Sequence, residues 1–165
     1  MKQITAILLV ILLLTSCGSK KEVIREAIKQ SATLDKKQEL LNEDTFVVDI
    51  YSDDKTYGYT EKNPIKVGGC KTDEGPLNER RFLNALAGPN KESIEYQRLG
   101  SCCRFETPNG LFGNGFLDRY AITYKGLKEP IILYINMYDS DTLKVPVGFK
   151  LKYNYNSNST LIAIR

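Results

Sequence analysis

The chain has 165 residues, 23 Lys and Arg against 20 Asp and Glu, a formal net charge of +3, and neither His nor Trp. That length suits one domain with a single core, and the near-neutral balance gives no electrostatic case for a nucleic-acid partner. Without His the usual proton carrier near neutral pH and the commonest transition-metal ligand are missing, so no catalytic residue, cofactor site or metal site is assigned from the sequence.

The first element in chain order is a leader. Lys2 supplies a positive n-region, Ile4 to Leu14 form an apolar h-region, and Thr15 and Ser16 are small residues of the kind a signal peptidase requires. A spanning helix needs about 20 apolar residues, so this stretch is too short to remain as a transmembrane anchor. The run Leu14-Thr15-Ser16-Cys17 resembles the lipobox of bacterial lipoproteins. The resemblance implies removal of residues 1–16 and a diacylglyceryl group on Cys17. Each buried acyl methylene contributes about 0.8 kcal/mol, and two or three chains give stable attachment. The lipid bilayer of the bacterial cell envelope is therefore an expected partner, and Gly18 after the cysteine implies the outer membrane by similarity to sorting in enteric bacteria.

Residues 17–43 follow as an expected tether, rich in Lys, Glu and Gln, with Ile24, Ala27 and Ile28 at helical spacing on a narrow stripe. From Thr45 the pattern changes to short, Tyr-rich and β-branched runs broken by Gly, Pro and Asn. "TFVVDIYS", "KTYGYTEK", "PIKVG", "ESIEYQRLG", "LDRYAITYKG", "PIILYINMYD" and "KVPVGFKLKYNY" are predicted strands. In the first, Phe46, Val48 and Ile50 alternate with Val47, Asp49 and Tyr51 as in a half-buried strand. "PIILYINMY" is apolar on both faces and is the predicted central strand. The predicted helix is "GPLNERRFLNALAGPN", with Pro76 in the first turn, Phe82, Leu83, Ala85 and Leu86 as its apolar side, and Gly88-Pro89 as the stop. "NYNSNS" predicts a turn and "TLIAIR" a last strand. Short Gly- and Asn-containing links favour antiparallel neighbours. The expected fold class is thus α+β, a mostly antiparallel β-sheet with one main packed helix, over residues 44–165 as a single domain.

Candidate chemistry concentrates in "GSCCRFETPNGLFGNG". Lipidation uses Cys17 and leaves Cys70, Cys102 and Cys103, an odd set in an oxidising compartment, in which one intramolecular bridge can close. A bridge within the adjacent pair makes an eight-membered ring, whereas Cys70 joined to one of them closes a loop of about 32 residues worth roughly 3 to 4 kcal/mol. The expectation is therefore Cys70 with Cys102 or Cys103, Cys102 favoured, and a buried inert thiol left over. "NGLFGNG" lacks the following helix of a phosphate loop and reads as a hairpin connection. "NPIKVGGC" reads as a strand leaving into a tight turn at Gly68 and Gly69. Tyr120 and Tyr124 share one face of their strand, as do Tyr134 and Tyr138 of theirs, and the four form a candidate binding face for a sugar or peptide. Asp49, Asp53, Asp54, Glu106 and Asp118 are carboxylates with no partner visible in the sequence.

From about Tyr57 to Lys150 the succession "NPIKVGG", "LNERRFLNALAGPN", "RLGSCCRF", "GFLDRYAITYKGL" and "PIILYINMYD" resembles a group of small uncharacterised lipoproteins of Bacteroidetes. The resemblance implies a role in the envelope and carries no site residues. Some members of that group bear the name 2-dehydro-3-deoxyphosphooctonate aldolase. That enzyme is a TIM barrel of typically about 250 residues, and this shorter chain without βα alternation cannot build one. The functional expectation is a non-enzymatic domain that binds an envelope protein, a glycan or a small ligand. Its rival is an envelope hydrolase or thiol-redox enzyme working with carboxylates or with Cys102 and Cys103.

Overall fold

The computed structural model describes residues 36–153. The leader, Cys17, the stripe at Ile24, Ala27 and Ile28, and the predicted strand "TLIAIR" lie outside the described residues. Within them the fold is α+β, with mostly antiparallel pairing around one α-helix.

Two long strands dominate. β6 (Ile94–Leu111) and β7 (Asn114–Tyr124) form an antiparallel hairpin, and β8 (Ile131–Asn136) pairs antiparallel with β7. β4 (Ile65–Lys66) completes the sheet in parallel with β8, giving the order β4-β8-β7-β6. "PIILYINMY" therefore does lie between two neighbours. Its Leu133 and Ile135 are fully buried, together with Ile65 of β4 and Ile122 of β7. The face they present is covered by α1 (Gly75–Asn84), whose Phe82 and Leu83 are also fully buried. At roughly 1.5 to 3 kcal/mol per fully buried large apolar side chain, this contact between helix and sheet is the main source of stability.

The helix starts as the sequence predicts, with Pro76 in its first turn, but stops at Asn84 rather than at Ala87. Leu86 and Ala87 instead form β5, which pairs antiparallel with β10 (Lys150–Leu151). Both residues are buried there, and burial outweighs their helix propensity. Gly68 and Gly69 take φ values of 69° and 100° as the chain leaves β4 for the 3-10 turn Cys70–Thr72. A Cβ on Gly69 would lie 2.3 Å from the Asn78 side-chain amide, so the turn also packs directly on the helix.

Three predicted strands come out differently. "TFVVDIYS" splits into β2 (Thr45–Phe46) and β3 (Ile50–Tyr51), so Phe46 and Val48 are buried while Ile50 is exposed. "KVPVGFKLKYNY" splits likewise into β9 (Lys144–Val145) and β10, separated by a turn in which Phe149 N–H donates to the Pro146 carbonyl. "KTYGYTEK" is a loop. The Asp54 carboxylate accepts from the Thr56 backbone and hydroxyl and from Asn63 Nδ2, and this side-chain capture of the local backbone replaces a ladder. The loop still reaches the sheet, where the Tyr134 N–H donates to the Gly58 carbonyl.

The domain also begins earlier than the sequence suggests. Residues 36–43, expected in the tether, belong to the same compact unit as the sheet. β1 (Leu40–Asn42) pairs with β2, Gln38 Nε2 donates to Ser140 and to the Asp141 carbonyl, and Arg81 Nε donates to the Glu43 carbonyl. These anchors are polar and backbone-borne, which is why a search for apolar residues misses them. Among the described residues no helix is long and apolar enough to cross a membrane.

Candidate functional site

The β6–β7 hairpin carries most of the unusual chemistry because its register slips three times, between Arg98 and Gly100, Cys102 and Arg104, and Glu106 and Leu111. Gly100 has φ 113° at the first slip and Cys103 has φ 53° at the second. There the expected pairing of Cys70 with Cys102 or Cys103 is overturned. Cys102 and Cys103 are bonded to each other, and among the described residues Cys70 is the free thiol. The expectation rested on an extended strand, in which successive side chains point to opposite faces. The bulge and the left-handed Cys103 remove that condition and let the two sulfurs meet. Cys70 is half-buried in the 3-10 turn, and burial first, then Asp73, raises its pKa, which makes it a poor nucleophile.

Beside this bulge a polar cluster is buried between α1 and the sheet. Asp118 of β7, almost wholly buried, accepts from Arg98 Nε at 2.6 Å, Arg98 Nη2 at 2.8 Å and the Ser101 hydroxyl at 2.7 Å. The Tyr120 hydroxyl donates at 2.8 Å to Oε2 of Glu79, a fully buried helix residue. Burial pushes the Glu79 carboxyl up to about 8, and the nearby Asp118 carboxylate adds to the rise. Glu79 is therefore mostly protonated at neutral pH. Its Oε1 meets no hydrogen-bond donor, which a neutral carboxyl tolerates better than a carboxylate does. Burial and then Glu79 push the Tyr120 phenol well above its ordinary value, so it stays a donor. The cluster holds a carboxylic acid, a carboxylate and a guanidinium, the groups of an acid–base pair. It meets solvent through Arg98 and Ser101 rather than through either carboxyl.

The sequence misses Glu79, although one signal exists. Glu79, Phe82, Leu83 and Leu86 stand at i, i+3, i+4 and i+7, so the acid sits on the apolar stripe of its helix and not on the wet side.

The four candidate tyrosines do not make one face. Tyr120 lies opposite Leu133 and Arg119 opposite Tyr134, so Tyr120 and Tyr134 point to opposite sides of the sheet. Tyr120 is buried under the helix, and Tyr138, beyond the end of β8, packs edge-on against Phe105 with ring centroids 5.9 Å apart. Tyr124 is placed differently. At the end of β7 it lines an open groove with Asn90, Glu92, Lys125, Lys128 and Glu129. Glu92 is held by the Asn90 backbone and side-chain amides at 2.8 and 2.9 Å, and those hydrogen bonds lower its pKa.

At the other end of the hairpin the chain turns at Phe112 and Gly113, with φ 53° and 74°. The turn is fixed from below by buried Asp139, which accepts from Thr107, Asn109 and Asn136. Leu111 and Phe112 are 76% and 91% exposed. "NGLFGNG" thus is the hairpin connection its pattern predicts.

Asp49, Asp53, Asp54, Glu106 and Asp118 are not gathered into one site. Among the described residues no group of three or more Cys, Asp or Glu is arranged to hold a metal ion. No family model, no curated protein and no solved structure matches this chain.

Proposed function

We propose that the protein is a lipoprotein of the bacterial cell envelope, held at the outer membrane through acylated Cys17, whose domain binds an envelope protein or glycan and is not an enzyme. The observation that supports the binding role is the open groove at Tyr124, where an aromatic ring stands beside an amide, two lysines and two carboxylates. A ring face with hydrogen-bonding groups of both signs around it suits a sugar or a polar peptide. Binding of native protein to peptidoglycan fragments, lipopolysaccharide and cross-linked envelope proteins tests this. Tyr124→Ala should weaken the interaction about 3- to 10-fold, the usual worth of one aromatic contact. Unchanged binding would remove the groove from the account. Mass spectrometry of the mature protein tests the anchor, and an unmodified Cys17 would end that part.

The Glu79–Asp118 pair favours a second reading, an envelope hydrolase with Glu79 as general acid. That reading requires the helix to move away from the sheet before substrate reaches either carboxyl.

A further inference from the structure

The tip of the β6–β7 hairpin contradicts two ordinary rules at once. A turn with positive φ at both central residues favours Asn-Gly, because a bulky side chain is strained there. This turn has Phe112-Gly113, with Phe112 at φ 53°. A large apolar side chain is ordinarily placed where it can be buried, yet Phe112 is 91% exposed and its neighbour Leu111 76%. Neither turn propensity nor packing accounts for Phe at this position, and strained, exposed residues held by a rigid support are a recognised mark of function.

The support is rigid. Thr107 and Asn109 are fastened to buried Asp139, and a Cβ on Gly110 would meet the Asn114 carbonyl oxygen at 1.8 Å, so the two arms close tightly on each other. β8 pairs with β7 only from Asp118 to Ile122, which leaves the last part of the hairpin as a two-stranded arm beyond the sheet. Residues 107–115 carry no charged side chain. Arg104 and Glu106 stand just behind this turn, Arg104 Nε donating to Asn114 Oδ1 at 2.9 Å, so a shallow insertion that takes only the preformed Leu111 and Phe112 side chains into an apolar phase leaves both charges in the wet headgroup layer and orders no loop.

We infer that Leu111 and Phe112 form a wedge that inserts into the lipid bilayer to which the chain is anchored, giving the domain a second, fixed contact with the membrane. This inference rests on the anchoring proposed above. The choice of lipid follows from the tether: Gly18 to Asp35 lie between the acylated cysteine and the first described residue. At 3.3 to 3.6 Å per residue that chain spans at most about 65 Å, so the acylated cysteine keeps the domain within that distance of the bilayer and holds the tip at high effective concentration beside it. Each of the two side chains, fully buried, favours the inserted state by about tenfold to a hundredfold. That is too weak for a free protein but sufficient for one already tethered.

The chain has no Trp, so Phe112→Trp makes a single fluorescent reporter. The native lipidated protein carrying Phe112→Trp would be reconstituted on vesicles of phosphatidylethanolamine and phosphatidylglycerol, with and without acyl-chain bromine. Tyr51→Trp, at an exposed position on β3, serves as the comparison. The wedge predicts a blue-shifted emission, quenched at least twofold by brominated lipid for Phe112→Trp and unquenched for Tyr51→Trp. Adding Leu111→Asn to Phe112→Trp should reduce the quenching several-fold. Flotation of the same samples reports the anchor separately. Protein that floats but shows no lipid quenching overturns the wedge alone. Protein that fails to float overturns the anchoring and the wedge with it. Shielding of Phe112→Trp from iodide only after envelope proteins are added would make the tip a protein contact and also overturn the inference.

Discussion

The base and the tip of one hairpin obey different rules. At its base Tyr120 and Ile122 of β7 pack under α1, and even the acidic side chains there are enclosed, Asp118 by Arg98 and Ser101 and Glu79 by Tyr120. At its tip the polar groups are inside, around Asp139, and the apolar ones are outside. Burial of apolar area sets the first arrangement. The second is held by side-chain hydrogen bonds and leaves the apolar groups free for something else. The difference separates residues that make the fold from residues that are available to a partner.

The largest expected contrast is in stability. Phe82→Ala opens a cavity in the contact between helix and sheet and should cost about 3 to 5 kcal/mol in urea denaturation. A loss under 1 kcal/mol would mean that the helix is not the main cover of the sheet.

The enclosed acid gives the next effect, and its sign can be worked out. The folded pKa of Glu79 is raised from 4.5 to about 8, so between those values the native state holds more protons than the unfolded chain. Stability therefore falls as pH rises from about 4.5 to 8, by on the order of 3 to 5 kcal/mol. Glu79→Gln should flatten this part of the profile, because a neutral amide still accepts from Tyr120. Asp118→Asn should move the upper edge of the window down by removing the neighbouring negative charge. A wild-type profile that is flat over this range would show Glu79 to be hydrated rather than enclosed.

The N-terminal boundary gives a smaller effect. A chain beginning at Asp44 loses β1, the Gln38 hydrogen bonds and the Glu43 carbonyl that Arg81 Nε holds. It should melt roughly 4 to 10 °C lower, about 1 to 2 kcal/mol. An unchanged melting temperature would return residues 36–43 to the tether. The smallest effect has the opposite sign. Phe112→Asn relieves a bulky residue at positive φ and should stabilise the fold by up to about 1 kcal/mol. Destabilisation would mean that the Phe112 ring packs on its own domain.

The parts of this picture that were legible in the sequence are those written in periodicity and turn chemistry. The helix follows from Pro76 and the Phe82-Leu83 stripe, the inner strand from Ile131 to Met137, and the hairpin from "NGLFGNG". The parts that were not legible depend on geometry that no single residue announces. The Cys102–Cys103 bond needs a register slip and a left-handed Cys103, and the separation of Tyr120 from Tyr134 needs the β7–β8 register. "KTYGYTEK" alternates like a strand, and only the capture of its backbone by Asp54 makes it a loop. Glu79 was within reach, since its place on an apolar stripe was visible, but its partners Tyr120 and Asp118 come from a strand some 40 positions away, joined by tertiary packing alone.

The central claim is that recognition belongs to the open ends of the hairpin while the enclosed acid cluster supports the fold. Binding of the native protein to envelope glycans and proteins, measured side by side for Tyr124→Ala and Glu79→Gln, tests it most directly. A 3- to 10-fold loss is expected for Tyr124→Ala and unchanged binding for Glu79→Gln at a pH where both variants are folded. Binding that survives Tyr124→Ala but is lost in folded Glu79→Gln would contradict the account and move the site to the cluster beneath the helix.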